Sequence, residues 1–260
     1  MEVATLIGIL RELAPELSTT GFVNIAPGNK VMLLRLGVCI DPTKYTITSA
    51  VNKGVNILVS YHPWRGEAQA ILLEKELGII ALHTAWDNAP NGVNLTFAKE
   101  LGLTNLRLQG QVLIGNTDLV LRNLLERCQR AVDQSIIPYY GELCAPVRQV
   151  GIAAGPGFLP YNKKIWEICQ EAGCDTIISS ELSLVPLRFA AAHQMQLIDL
   201  GHSLMARPAM AQLAKTLKAR LGLGQPVEFF TDCYGCNYYT NFNYCQLDDS
   251  EEFISLFTHR

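Results

Sequence analysis

Gly78-Ile79-Ile80-Ala81-Leu82-His83-Thr84-Ala85-Trp86-Asp87-Asn88-Ala89-Pro90-Asn91-Gly92-Val93-Asn94 is the stretch whose reading decides the fold. A short apolar run opened by glycine reads as a buried strand, and it hands over at His83 to a polar, turn-rich loop. The same construction recurs at Asn56-Ile57-Leu58-Val59-Ser60, followed by Tyr61-His62-Pro63, and at Leu197-Ile198-Asp199-Leu200, followed by Gly201-His202-Ser203. Three strands that each run into a histidine predict a site assembled at the carboxyl ends of strands.

Working outward, the chain alternates. Val3 to Leu13 has helical spacing. Val31 to Ile40 reads as a buried strand, and Asp41-Pro42-Thr43 as the start of a helix with Asp41 as its cap and proline in the first turn. Glu67 to Leu77 reads as an amphipathic helix. Leu106 to Ile114 reads as a strand or hairpin arm, Asp118 to Val132 as a helix and Val147 to Ala154 as a strand. Then follow a helix from Lys163, strand Asp175 to Ser179, helix Pro186 to His193, strand Leu197 to Leu200 and helix Arg207 to Leu221. Such alternation predicts an α/β fold with largely parallel sheets, whose functional residues gather where the strands end.

Composition sets the outer limits. The 260 residues are 49% apolar with a formal charge of −3, enough for a substantial core and no electrostatic footprint for nucleic acid. No apolar run reaches the roughly 18 residues of a spanning helix, and no basic region precedes an apolar core at the start. The expectation is a soluble, cytoplasmic protein with no membrane partner. Eight scattered cysteines in a chain of this size do not read as a disulfide framework, and the single Cys233-Tyr234-Gly235-Cys236 pair has no second pair at zinc-ribbon spacing. Gly155-Pro156-Gly157 lacks the third glycine of a dinucleotide loop and reads as a tight turn. No Gly-x-Ser-x-Gly elbow occurs.

A divalent metal needs neutral imidazoles and carboxylates on rigid supports, which strand ends supply. His62, Asp87 and His202 are the candidate ligands. Each also has a plainer role available: His62 as a polar loop residue, Asp87 as a turn or helix cap, His202 as a strand-end histidine. His193 and His259 read as structural.

These segments, in this order, resemble the Ngg-interacting-factor family, also known as homologues of GTP cyclohydrolase 1 type 2. The likeness runs from the first helix to about Leu221. It is carried by Val59-Ser60-Tyr61-His62-Pro63, by His83-Thr84 with Asp87, Pro90, Gly92 and Asn94, by Ser180-Glu181-Leu182-Ser183, and by Gly201-His202 with Arg207-Pro208. The resemblance implies two linked, similar α/β domains, here 1–115 and 116–260 with intertwined halves. It further implies a dinuclear metal site in the cleft between them and a ring-like homohexamer or smaller homo-oligomer. The chain is close to the short form that lacks an inserted middle domain. It departs from the family at four places. Tyr61 stands where the first of two histidines is common, Ala206 where a glutamate is expected, and Leu184-Val185 where a histidine pair is expected; the tryptophan-aspartate-asparagine signature is absent from Leu17 to Gly28.

What remains is His62, Asp87 and His202, the ligand count of a mononuclear site with one open position. The resulting expectation is a single zinc, iron or manganese ion, with His83 as acid-base partner and Glu181 as a further catalytic candidate, in a hydrolase-like protein acting on a nucleotide-like small molecule. It requires His62 and His202 to lie within metal-bridging distance. The rival expectation is a non-catalytic scaffold or regulatory module that binds a protein partner.

Overall fold

In the computed structural model, the described residues are 2–17, 22–23, 32–64, 74–222, 224 and 227–231. Most of the helix expected at Glu67 to Leu77, the Cys233–Cys236 pair and His259 lie outside them. Two mixed sheets organise the described chain. The first contains β1 (Phe22–Val23), β2 (Leu36–Cys39), β3 (Ile57–Ser60), β4 (Gly78–Ala81) and β11 (Glu228–Phe230), in the order β1-β4-β3-β2-β11. The second contains β5 (Thr104–Gln109), β6 (Val112–Val120), β7 (Tyr139–Tyr140), β8 (Pro146–Ile152), β9 (Thr176–Ser179) and β10 (Gln196–Asp199), in the order β5-β6-β8-β9-β10-β7.

The centre of each sheet is parallel. β2, β3 and β4 run together with β11 alongside β2, and β8, β9 and β10 run together in the second sheet. Antiparallel pairs close the remaining edges, including the β5–β6 hairpin. This is the parallel-rich α/β architecture expected from the alternation. The parallel strands are apolar on both faces, as strands covered by helices on both sides must be.

The helices are α1 (Val3–Leu13), α2 (Lys44–Asn52), α3 (Thr84–Asp87), α4 (Val93–Glu100), α5 (Leu121–Val132), α6 (Lys163–Glu171), α7 (Leu184–His193), α8 (His202–Met205) and α9 (Arg207–Arg220). One buried cluster runs beneath both sheets: Ile57, Val59 and Ile80 share it with Val150, Ile152, Ile178 and Ile198, and α9 contributes Met210, Leu213 and Leu217. Among the described residues no helix is long and apolar enough to cross a membrane.

Three boundaries differ from the sequence expectation for identifiable reasons. The strand read from Val31 begins at Leu36, because the Asn56 carboxamide oxygen accepts from the backbone N–H groups of Leu34 and Arg35, at 2.9 and 3.0 Å, ahead of the ladder. The helix read from Asp118 begins at Leu121, because β6 continues to pair with β8 through Leu119 and Val120. Most consequential for the site, Asp41 does not cap α2. Thr43 does, its hydroxyl accepting from the Thr46 N–H at 3.0 Å, so that the Asp41 carboxylate is used elsewhere.

Candidate functional site

The carboxyl ends of the parallel strands of both sheets converge on one cavity of about 350 Å³, lined by Asp41, Pro42, His62, Pro63, His83, Glu181, His202 and Ser203. Each titratable side chain arrives by the same device. Asp41 lies two residues past β2, His62 two past β3, His83 two past β4, Glu181 two past β9 and His202 three past β10. Continuing backbone bonds fix these exits: Tyr61 N–H donates to the Cys39 carbonyl, His62 N–H to Ile40 and His83 N–H to Tyr61.

On the other wall, one carboxylate shapes two loops. Asp199 accepts from the backbone N–H of Leu182 through one oxygen and from Gly201 through the other, each at 2.8 Å, and so sets the loops that carry Glu181 and His202. His83 (φ 45°) and Glu181 (φ 69°) occupy left-handed backbone that side chains other than glycine seldom adopt. Such strain concentrates at sites where the surrounding structure holds a residue in place.

Two imidazoles form the heart of the cavity. The rings of His62 and His202 lie 4.7 Å apart, edge to face at 88°, and the His83 ring is 6.1 Å from that of His62. His62 Nδ1 is bonded to Asp41 Oδ1 at 2.6 Å, while its buried Nε2 has no protein partner. Glu181 Oε1 stands 3.6 Å from His202 Nδ1. His62 therefore has a carboxylate bonded at Nδ1, the arrangement that orients an imidazole and presents Nε2 to a metal ion or a proton, while Glu181 stands beyond hydrogen-bond length of His202. Burial, with the neighbouring His62 and His83, lowers the His202 pKa to about 4, so this ring is neutral and its lone pair available at neutral pH.

Asp87 stands apart from this group. It does not line the cavity; Tyr61, almost fully buried, donates its phenolic O–H to Asp87 Oδ1 at 2.5 Å. Burial lifts the Asp87 pKa to about 6, against the lowering effects of the Tyr61 bond and of His62. Burial and the Asp87 carboxylate in turn push the Tyr61 phenol up. The structure thus gathers His62, His202, His83 and Glu181 and leaves Asp87 behind Tyr61. Among the described residues no group of three or more His, Cys, Asp or Glu side chains is arranged as a metal-binding set. The part of the donor set that fits an ion is the imidazole pair, with the orphaned buried Nε2 of His62.

Asp41 is the site residue that the sequence reading assigned to another task. It follows an apolar strand run just as His62, His83 and His202 do, so the rule that found the histidines would have found it. Asp199 gave no such signal, since its role depends on two backbone groups in different loops.

Gly92 and Asn94, in the stretch after His83, have structural roles. A Cβ on Gly92 would lie 1.9 Å from the Trp86 carbonyl oxygen, so only glycine fits there. Asn94, 1% exposed, donates to Asn88 Oδ1 and accepts from the Ala154 N–H, each at 2.8 Å, tying this loop to the end of β8. Gly155-Pro156-Gly157 is a tight turn as expected: the Gly157 N–H donates to the Gly155 carbonyl and to Ser179 Oγ.

Residues 1–233 match the family described as Duf34/NIF3 (NGG1p interacting factor 3). The chain belongs to this family. Among its curated NIF3 relatives, a GTP cyclohydrolase 1 type 2 homolog of Ureaplasma parvum is 26% identical over 188 residues, which cover 64% of this chain and 70% of the relative. One of the same name from a Nostoc species is 25% identical over 221 residues, covering 75% and 81%. In fold, the chain is similar to a Staphylococcus aureus hypothetical protein solved by crystallography, with a TM-score of 0.75 at 18% identity over 92% of this chain and 99% of that one.

Against the NIF3 resemblance, Tyr61 occupies the core rather than the cavity, and Ala206, fully buried, packs at the junction of α8 and α9. Leu184 and Val185, where a histidine pair is expected, are exposed at the start of α7.

Proposed function

We propose that this NIF3-family chain is a hydrolase-like protein with a contracted site for one divalent ion, zinc, iron or manganese, held by His62 and His202 in the cleft between two similar α/β units. The observation that carries this reading is the buried, unpartnered His62 Nε2 set edge-on to a neutral His202, with Asp41 and Glu181 behind the two rings. Asp87 would join as third ligand by exchanging its Tyr61 bond for the ion. The ion would act as a Lewis acid toward a water or a polarised substrate bond. Asp41 fixes the His62 tautomer with the proton on Nδ1. His83, exposed at the rim, and Glu181, on the opposite wall, are placed to move a proton to or from a small molecule in the cavity. The GTP cyclohydrolase names of the relatives support a nucleotide-like compound as its class.

Elemental analysis of protein purified without chelator, alongside His62→Ala and His202→Ala, tests the reading. One ion per chain, lost in both variants, is the expected result. A protein that stays metal-free after incubation with zinc, iron and manganese would overturn it.

A second reading has its own support. Asp87 is engaged by Tyr61, Ala206 offers no ligand, and Leu184 and Val185 present apolar surface, all consistent with a scaffold that has given up chemistry for a protein partner or for homo-oligomer assembly. A metal-free protein that forms a defined homo-oligomer or retains a specific partner would favour it.

A further inference from the structure

Helix α6 ends in a motif that places two cysteines against each other. The Cys174 N–H donates to the Cys169 carbonyl at 2.9 Å and the Gly173 N–H to the Gln170 carbonyl at 3.0 Å, with Gly173 left-handed at φ 81°. These paired bonds define a Schellman C-cap, whose geometry brings the third-last helical side chain against the one that follows the glycine. An apolar contact usually fills that place; here both residues are cysteine. Both thiols cover Gly151 of β8, where an added Cβ would lie 2.5 Å from Cys169 Sγ and 3.5 Å from Cys174 Sγ. The two thiols are hydrogen-bonded to each other.

We infer that Cys169 and Cys174 are a reversible dithiol–disulfide pair that staples the C-terminus of α6 to the chain entering β9. The cap motif holds the two side chains in contact before any bond forms, so closing the bond needs only local adjustment. Cys174 is the attacking group. The Cys169 hydrogen bond and the Arg107 guanidinium lower its pKa, against burial and Asp175, while the same hydrogen bond and burial raise that of Cys169. Cys169 is fully buried and Cys174 is 5% exposed, next to an exposed glycine. The co-reactant is a low-molecular-weight disulfide. The Cys174 thiolate attacks one of its sulfurs and expels a thiolate. Cys169 then attacks Cys174 Sγ in the mixed disulfide and expels the second. The two protons of the protein thiols leave with the two small thiols, so one disulfide is reduced as one is formed. Where disulfides do form in a reducing compartment, they are usually transient bonds of this kind.

The full chain, equilibrated under native conditions with glutathione disulfide, acid-quenched, alkylated in denaturant and digested with trypsin, reports the pair on one peptide. Ile165–Arg188 contains Cys169 and Cys174 and no other cysteine. The expected result is joint loss of alkylation at both positions, a peptide lighter by two hydrogens, and halves that stay linked after cleavage at Glu171 until reductant is added. Cys169→Ala should instead accumulate a stable glutathione adduct on Cys174. Alkylation of both thiols in the wild type, or a lasting glutathione adduct on Cys174 with Cys169 still free, would overturn the inference.

Discussion

The phenolic oxygen of Tyr61 and the carboxylate of Asp87 meet at 2.5 Å beside the cavity, so the carboxylate expected to join the two histidines at a metal site is hydrogen-bonded to a phenol. Removing the hydroxyl alone tests what the bond does. Tyr61→Phe keeps the ring in the core and leaves a largely buried carboxylate without its donor, a loss of about 1–3 kcal/mol near pH 7. Because burial already lifts Asp87 to about 6, the deficit should shrink below that pH, as the group accepts its proton. Urea unfolding of the wild type and the variant at two pH values measures this. An unchanged midpoint would mean that Asp87 has another partner.

Asp87 and His202 should have opposed effects on the pH dependence of stability. His202 falls from its ordinary value near 6.5 to about 4, so between those limits the unfolded chain binds the extra proton and this residue makes stability fall on acidification. Asp87 rises from 3.8 to about 6, so over that window the folded chain holds the extra proton and this residue makes stability rise on acidification. The two slopes oppose each other from about pH 4 to 6. Asp87→Asn should steepen acid destabilisation across that range and His202→Ala should flatten or reverse it, read from unfolding midpoints at stepped pH.

Asp41 acts on the cavity through His62. Asp41→Asn keeps the size of the group but weakens its hold on Nδ1 and allows the other tautomer, which puts the proton on Nε2 and blocks that nitrogen as a ligand. Zinc affinity, followed in competition with a chromophoric chelator, should fall about 10–100-fold with little change in melting temperature. Equal affinities would show that the Asp41 pairing has no part in presenting His62.

Gly92 should be intolerant of any side chain. Its Cβ would fall 1.9 Å from the backbone oxygen of Trp86, which no rotamer change can relieve. Gly92→Ala should cost about 3 kcal/mol or more in stability and disturb the loop that carries Asp87. Circular dichroism melts measure it; a variant of wild-type stability would require the loop to rebuild cheaply.

The alternation of apolar runs and helical spacing was enough to read the α/β class, the parallel strands β3, β4, β9 and β10, and the positions of His62, His83 and His202 at strand ends. The signal is strong there because a strand buried on both faces must be apolar throughout, so its polar successor stands out. Weaker signals failed for local reasons: Asp41-Pro42-Thr43 offers two good capping residues, and the pattern does not say which one the helix uses. The short strands β7 and β11 owe their existence to neighbours, Leu197–Ile198 and Gly37–Cys39, and carry no pattern long enough to read.

The sequence by itself determined which residue types stand at the ends of which strands, because burial on both faces of a parallel sheet is written into consecutive positions. Only the tertiary structure decided how they pair. It set Asp41 on His62 and Glu181 near His202, and it set Asp87 on Tyr61 beside the cavity. Those choices depend on distances of a few ångströms between loops 21 to 26 positions apart in the chain, set by the packing of two sheets on a shared core, and local pattern holds no record of them.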